Sequence, residues 1–140
     1  MNKTSSIPFF KKPFLMKIKI PTFAAVVVFA LIWLYFGINH LINAHTLASM
    51  AAGLPGGTFW IYFTGVCMIL AGISMISGKW TRVACYLLAL MLVVFIAVIH
   101  IPALNKGNIF APFNILKDLG LASAAIIIGN VRSHIKQLGQ

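Results

Sequence analysis

Residues 115–129 read Ile-Leu-Lys-Asp-Leu-Gly-Leu-Ala-Ser-Ala-Ala-Ile-Ile-Ile-Gly, an apolar run holding Asp118, the sole acidic side chain in 140 residues. Such a run is most of a membrane-spanning helix, and an acid placed inside one is costly unless it is paired or lines a polar cavity. The surrounding chain agrees with that reading. It is 61% hydrophobic and 9% charged, with a formal charge of +10 and a mean hydropathy of +0.98. These values lie outside the range of soluble domains and inside that of helical membrane proteins.

A bilayer core about 30 Å thick takes about 20 apolar residues per helix, so this length supplies four spans and little else. The apolar segments are 22–43, 58–77, 82–101 and 115–131. The expected fold class is all-α: one integral membrane four-helix bundle over 22–131, between a basic tail at 1–21 and a short tail at 132–140. No room remains for a soluble catalytic module, so the chain is expected not to be a stand-alone enzyme.

Nine of the eleven Lys and Arg residues fall in the first tail, the 78–82 turn and the last tail; only Lys106 and Lys117 lie on the other side. The positive-inside bias therefore predicts N-in/C-in topology, with both termini cytoplasmic and the connections 44–57 and 102–114 outside. The outer connections carry Pro55, Gly56, Gly57, Pro102 and Pro112, which are expected to halt the helices. In the first tail, Lys3, Lys11, Lys12, Lys17 and Lys19 are interleaved with Phe and Ile and broken by Pro8 and Pro13. This reads as a topology signal or as an interfacial anchor on anionic lipid. A cleaved signal peptide is not expected, because the apolar run that follows is too long for one. Cys67 and Cys85 lie in different spans at different depths and are expected to be packing residues, not a bridge.

Small residues indicate how the helices meet. In the second span Thr58, Tyr62, Gly65, Ile69, Gly72 and Ile76 recur at helical spacing, and Gly65 and Gly72 admit a neighbouring backbone. In the fourth, Asp118, Ala122, Ala125 and Gly129 form a similar stripe that aims Asp118 inward, while Lys117 snorkels to the outer surface. Antiparallel topology then brings His40, Tyr62, His100 and Asp118 to one level near the outer boundary, with Asn39 and Asn43 adding amides. An acid in this layer calls for a cation or donor, and His40 and His100 are the natural candidates. The layer reads either as glue between helix ends or as a polar pocket within apolar walls. A quinone suits such a pocket. Haem between His40 and His100 is disfavoured by their boundary position, and no metal site is assigned, because no ligands share a local motif spacing. His45 and His134 are expected to be solvated, and the basic charge reflects membrane topology, not nucleic-acid binding.

The series Gly37-Ile38-Asn39-His40, Pro55-Gly56, Phe59-Trp60, Tyr62, Gly65, Ala71-Gly72, His100-Ile101-Pro102 and Leu116-Lys117-Asp118-Leu119 resembles the DoxX family of small membrane proteins. The resemblance spans about residues 22 to 130. Lys17 and Lys19 stand where many relatives open the first helix with Arg, and Ser123-Ala124 where a Gly pair is common. The resemblance implies a four-helix membrane bundle in the bacterial inner membrane. It also implies kinship with a subunit associated with an archaeal quinol oxidase and thiosulfate to quinone oxidoreductase. Residue by residue it carries over His40, His100, Lys117 and Asp118.

Two functions follow as expectations. One is an accessory subunit of a quinone-linked membrane redox system, with an outer pocket for a quinone-like or other small apolar ligand. The alternative is an assembly protein that docks a partner helix on the Gly65 and Gly72 face. Its partners are then the lipid bilayer and a redox complex or other membrane protein, with a homo-oligomer also compatible.

Overall fold

The computed structural model describes residues 22–51 and 56–138, and every regular element among them is helical. Helix α1 spans Thr22–Ile42, and a short α2 (Ala44–Leu47) runs into a 3-10 turn at Ala48–Ala51. Helices α3 (Thr58–Ser77) and α4 (Thr81–Phe95) follow. One wide π-type turn, Ile96–His100, then links α4 to α5 (Ile101–Asn105), and α6 occupies Ala111–Leu138. The lysine-rich tail before residue 22 lies outside the described residues.

Four of these stretches are long and apolar enough to cross a membrane: Thr22–Ile42, Thr58–Ser77, Thr81–Asn105 and Ala111–Arg132. A helix satisfies its backbone polar groups within itself, the condition hydrocarbon imposes on a spanning segment. The protein is therefore an all-α, multi-pass membrane bundle.

The helices associate as two close pairs, α1 with α3 and α4 with α6, joined through α3 and α4. The first pair is close because glycines face each other across it. A Cβ built on Gly37 would stand 2.7 Å from the carbonyl oxygen of Gly65, and one on Gly72 would stand 3.0 Å from that of Ala30. No side chain fits in that space, so the backbones touch directly. The shared core is Val26, Ala30 and Trp33 of α1, Met68 and Met75 of α3, Cys85 and Leu92 of α4, and Ala122 and Ala125 of α6.

The expected stripe on the second span needs correction. Gly65 and Gly72 are buried, but the rest of the inward face is Ile61, Thr64, Met68, Ala71 and Met75. Tyr62 and Ile76 are exposed. The glycines lie at the rim of the buried arc, where α1 approaches; α3 must also face α4, and that requirement rotates Tyr62 outward toward lipid. On α6, by contrast, Asp118, Ala122, Ala125 and Gly129 share one buried face.

The third span runs past the point where Pro102 was expected to stop it. Proline has no N–H and cannot close a regular turn behind it. Here the turn before it widens, so that the Ile101 amide reaches back five residues to the Ile96 carbonyl, and the helix continues to Asn105.

Candidate functional site

The two ends of the bundle are built differently. At one end α3 stops at Gly78, which takes the left-handed φ of 74° that glycine tolerates, and the chain re-enters α4 through Trp80. Thr81 Oγ1 donates to the Ser74 carbonyl at 2.8 Å. Arg132 of α6 reaches the carbonyls of Met75 and Ile76, at 3.3 and 3.4 Å, and its guanidinium lies 5.1 Å from the ring centre of Phe23 on α1. One cation thus ties α1, α3 and α6 together and caps the carbonyl end of α3.

From the opposite end a cleft of about 820 Å³ extends between the pairs along most of the bundle. It runs along the bundle from Trp60 to Ser74, a rise of about 21 Å on α3 at 1.5 Å per residue. The walls are apolar, and on α3 and α4 they continue into exposed Phe63, Leu70, Leu87 and Leu90, so the groove is continuous with the lipid-facing surface. Its polar lining is concentrated where Asn39, His40, His100, Lys117 and Asp118 converge on it.

Asp118 is buried at 3% exposure, and both of its oxygens are engaged. His100 Nε2 donates to Oδ2 at 2.9 Å, and the Lys117 ammonium lies 3.4 Å from Oδ1. A carboxylate in this setting costs roughly 2.5–3.5 kcal/mol at mid-bilayer and less near the boundary, so the two partners account for its retention. Lys117 does two things at once: half its side chain is exposed, 53%, while its head turns back to the acid.

The wide turn before Pro102 positions His100. Leu92 is on the buried face of α4, and in a regular helix His100, eight residues on, would lie about 80° round from it. A turn that holds more residues per revolution removes much of that offset and brings the imidazole to Asp118. The sequence reading did not foresee this turn; its only trace is a proline two residues after a histidine inside an apolar run.

The remaining layer residues are separate from the acid. His40 Nδ1 donates to the Phe36 carbonyl at 2.8 Å, one turn back on its own helix, and His40 makes no hydrogen bond with Asp118. Tyr62, expected to face the pocket, does not line the cleft and is 42% exposed. Asn43 is also outside the cleft lining; it donates to Asn39 Oδ1 at 2.7 Å, and Asn39 does line it. Among the described residues no group of three His, Cys, Asp or Glu side chains converges in the manner of a metal centre. His45 is exposed, and the side chain of His134 lies outside the described residues.

Gly65 and Gly72 meet α1 of the same chain: a Cβ on Gly65 would stand 2.9 Å from that of His40, and one on Gly72 2.8 Å from Cγ of Leu34. The face considered for a partner helix is therefore already covered from within. Trp33 was missed altogether; it is 1% exposed, lines the deep wall, and stacks edge-on with Phe29 and Phe36.

The DoxX family model matches residues 16–101, a stretch that includes His40 and His100 and ends before Lys117 and Asp118. No curated protein matches the chain, and no solved structure does.

Proposed function

This chain belongs to the DoxX family, and from that premise we propose that it is an accessory subunit of a quinone-linked membrane redox system whose cleft holds a quinone-like or other small apolar ligand. The observation that carries the reading is the cleft: an apolar groove of about 820 Å³ whose polar end is a buried carboxylate paired to a histidine and a lysine. Its volume is in the range of small-molecule sites, and its composition, mostly apolar with few convergent polar groups, is theirs as well. His100 and Asp118 can hold a proton between them beside the groove, which suits a ligand that gains or loses protons with its electrons. In this reading the electrons come from the partner of the redox system.

The positive-inside bias supports placing both termini in the cytoplasm of a bacterial inner membrane, with the carboxylate end of the cleft near the outer surface. Occupation of the Gly65 and Gly72 face by α1 removes the observation that favoured docking of a partner helix there.

The test is the absorbance spectrum and the lipid-extract mass spectrum of protein purified in mild detergent, with thermal shifts on adding quinone analogues. A co-purified isoprenoid quinone and stabilisation by its analogues are expected. A clean extract together with unchanged melting would overturn the reading.

A further inference from the structure

We propose that the cleft selects a hydroxyl-headed amphiphile, with the ligand hydroxyl donating its hydrogen to Nε2 of His40. The inference rests on the reading of the cleft as a ligand site and adds the chemistry of the head group.

The argument begins from hydrogen-bond bookkeeping. A carbonyl oxygen can only accept, so the His40 nitrogen 2.8 Å from the Phe36 carbonyl, Nδ1, carries the hydrogen. In the neutral ring Nε2 is then a bare lone pair. That nitrogen has no partner among the described residues, and it is not one of the side-chain atoms sealed in the core. His40 lines the cleft, so the groove presents an unused acceptor. The other polar groups of the cleft are donors or already satisfied, apart from Nδ1 of His100 on the facing wall, which is left without a hydrogen when Nε2 of a neutral ring donates to Asp118. Asn43 donates to Asn39 Oδ1, which leaves the Asn39 amide N–H groups free to donate. Lys117 brings an ammonium. Thr64 spends its hydroxyl on the carbonyls of Trp60 and Ile61, at 2.8 and 3.1 Å.

A ligand that satisfies this wall must donate to His40 and accept from Asn39 or Lys117. One hydroxyl does both. A ketone, ether or carboxylate only accepts, so it would leave the His40 lone pair unmatched; of a quinone-like ligand it is the reduced, hydroxyl-bearing quinol that the wall matches. An amine head would sit beside the Lys117 ammonium. The chain of the ligand follows from the length of the apolar groove and its continuity with the lipid-facing surface of α3 and α4.

The probes are 4-dodecylphenol and its methyl ether, 4-dodecylanisole, which share one chain and differ in the donor. Binding to the full-length protein in nanodiscs is followed by tryptophan fluorescence, since Trp33, Trp60 and Trp80 line the groove. The phenol is expected to bind at least about tenfold more tightly than the ether, the worth of one well-made hydrogen bond. His40→Phe should bring the phenol down to the affinity of the ether, and His40→Gln, which restores an acceptor oxygen, should recover part of the difference. Equal binding of the two probes to the wild type, or a preference that survives His40→Phe, overturns the hydroxyl proposal and leaves the cleft reading standing. Binding of neither probe overturns both. If His40→Phe does not fold, the wild-type pair and His40→Gln still decide: a preference for the phenol that His40→Gln reduces or abolishes supports the proposal, and one that it leaves wholly unchanged counts against His40.

Discussion

Arg132 and Asp118 sit at opposite ends of the bundle, each a charge that hydrocarbon should exclude, and the comparison between them separates fastening from function. Arg132 Nη2 donates to the carbonyls that end α3 and the guanidinium lies over Phe23, so three helices meet at it, while its Nε–H is buried without a partner among the described residues. Asp118 has both oxygens engaged, by His100 and Lys117, but the helices beside it stay apart and a groove runs up to it. A charge kept for packing alone is expected to close the space around it, as Arg132 does. An acid retained at the edge of an open cleft, with a histidine acceptor on the facing wall, is the arrangement on which the proposed ligand site rests.

The largest expected effect tests the frame that holds the two ends in place. Gly65→Leu puts a branched side chain where a single Cβ already stands 2.9 Å from His40 Cβ and 3.0 Å from the Gly37 carbonyl oxygen. The α1 and α3 backbones must separate, at a cost of about 3 kcal/mol or more. Gly120→Leu, where a new Cβ meets nothing within 4 Å, should change stability by about 0.5 kcal/mol or less. Reversible unfolding in mixed detergent micelles compares the pair; equal effects would show that close backbone contact is not what joins α1 to α3.

Next comes the closed end. Arg132→Ala removes two carbonyl contacts and a cation–π contact, and is expected to cost about 2 kcal/mol while leaving binding at the carboxylate end of the cleft unchanged. Asp118→Asn should show the reverse pattern. Asp118→Asn keeps the shape and strands no buried ion, because Lys117 is half exposed and a neutral His100 can still hydrogen-bond the amide, so stability is expected to move by about 1 kcal/mol or less. Occupancy by the co-purified apolar ligand should fall clearly. Unfolding curves and extract mass spectra on the two variants check both halves; loss of ligand from Arg132→Ala with none from Asp118→Asn would invert the comparison.

Much of this contrast was legible in the chain. Composition and apolar run lengths were enough for an all-α membrane bundle with four spans, since the bilayer leaves few alternatives. The stripe Asp118, Ala122, Ala125, Gly129 also showed that the acid points inward, because small residues at helical spacing mark where another helix approaches. Tyr62 was misplaced for a related reason: it shares a spacing with Gly65 and Gly72, but spacing does not say whether the glycines lie at the centre or the rim of the buried arc, and here they lie at the rim. Nor does spacing reveal the wide turn at Ile96–His100, which depends on how the helix accommodates Pro102 and which sets the direction of His100. The basic clustering that includes Arg132 was read as topology alone; its contacts with α1 and α3 need three helices in place before they exist.

The smallest expected effect sharpens the distinction most. Lys117 is adjacent in sequence to Asp118 and touches its second oxygen, yet half of its side chain is exposed. An ion pair that open to water contributes about 0.5 kcal/mol or less, because solvent screens it and a long side chain must be held still. Lys117→Met keeps the apolar stem and removes the charge, so stability should barely move. Asp118 would then depend on His100 alone. If the carboxylate is there to be read by a ligand, the loss of one of its two partners should change ligand affinity more than it changes folding. Titrating wild type and Lys117→Met with a quinone analogue, next to their unfolding curves, measures both. A shift in unfolding larger than the shift in affinity would place Lys117 with Arg132 as a fastening charge, and the polar end of the cleft would then lose its claim to be more than a second clasp.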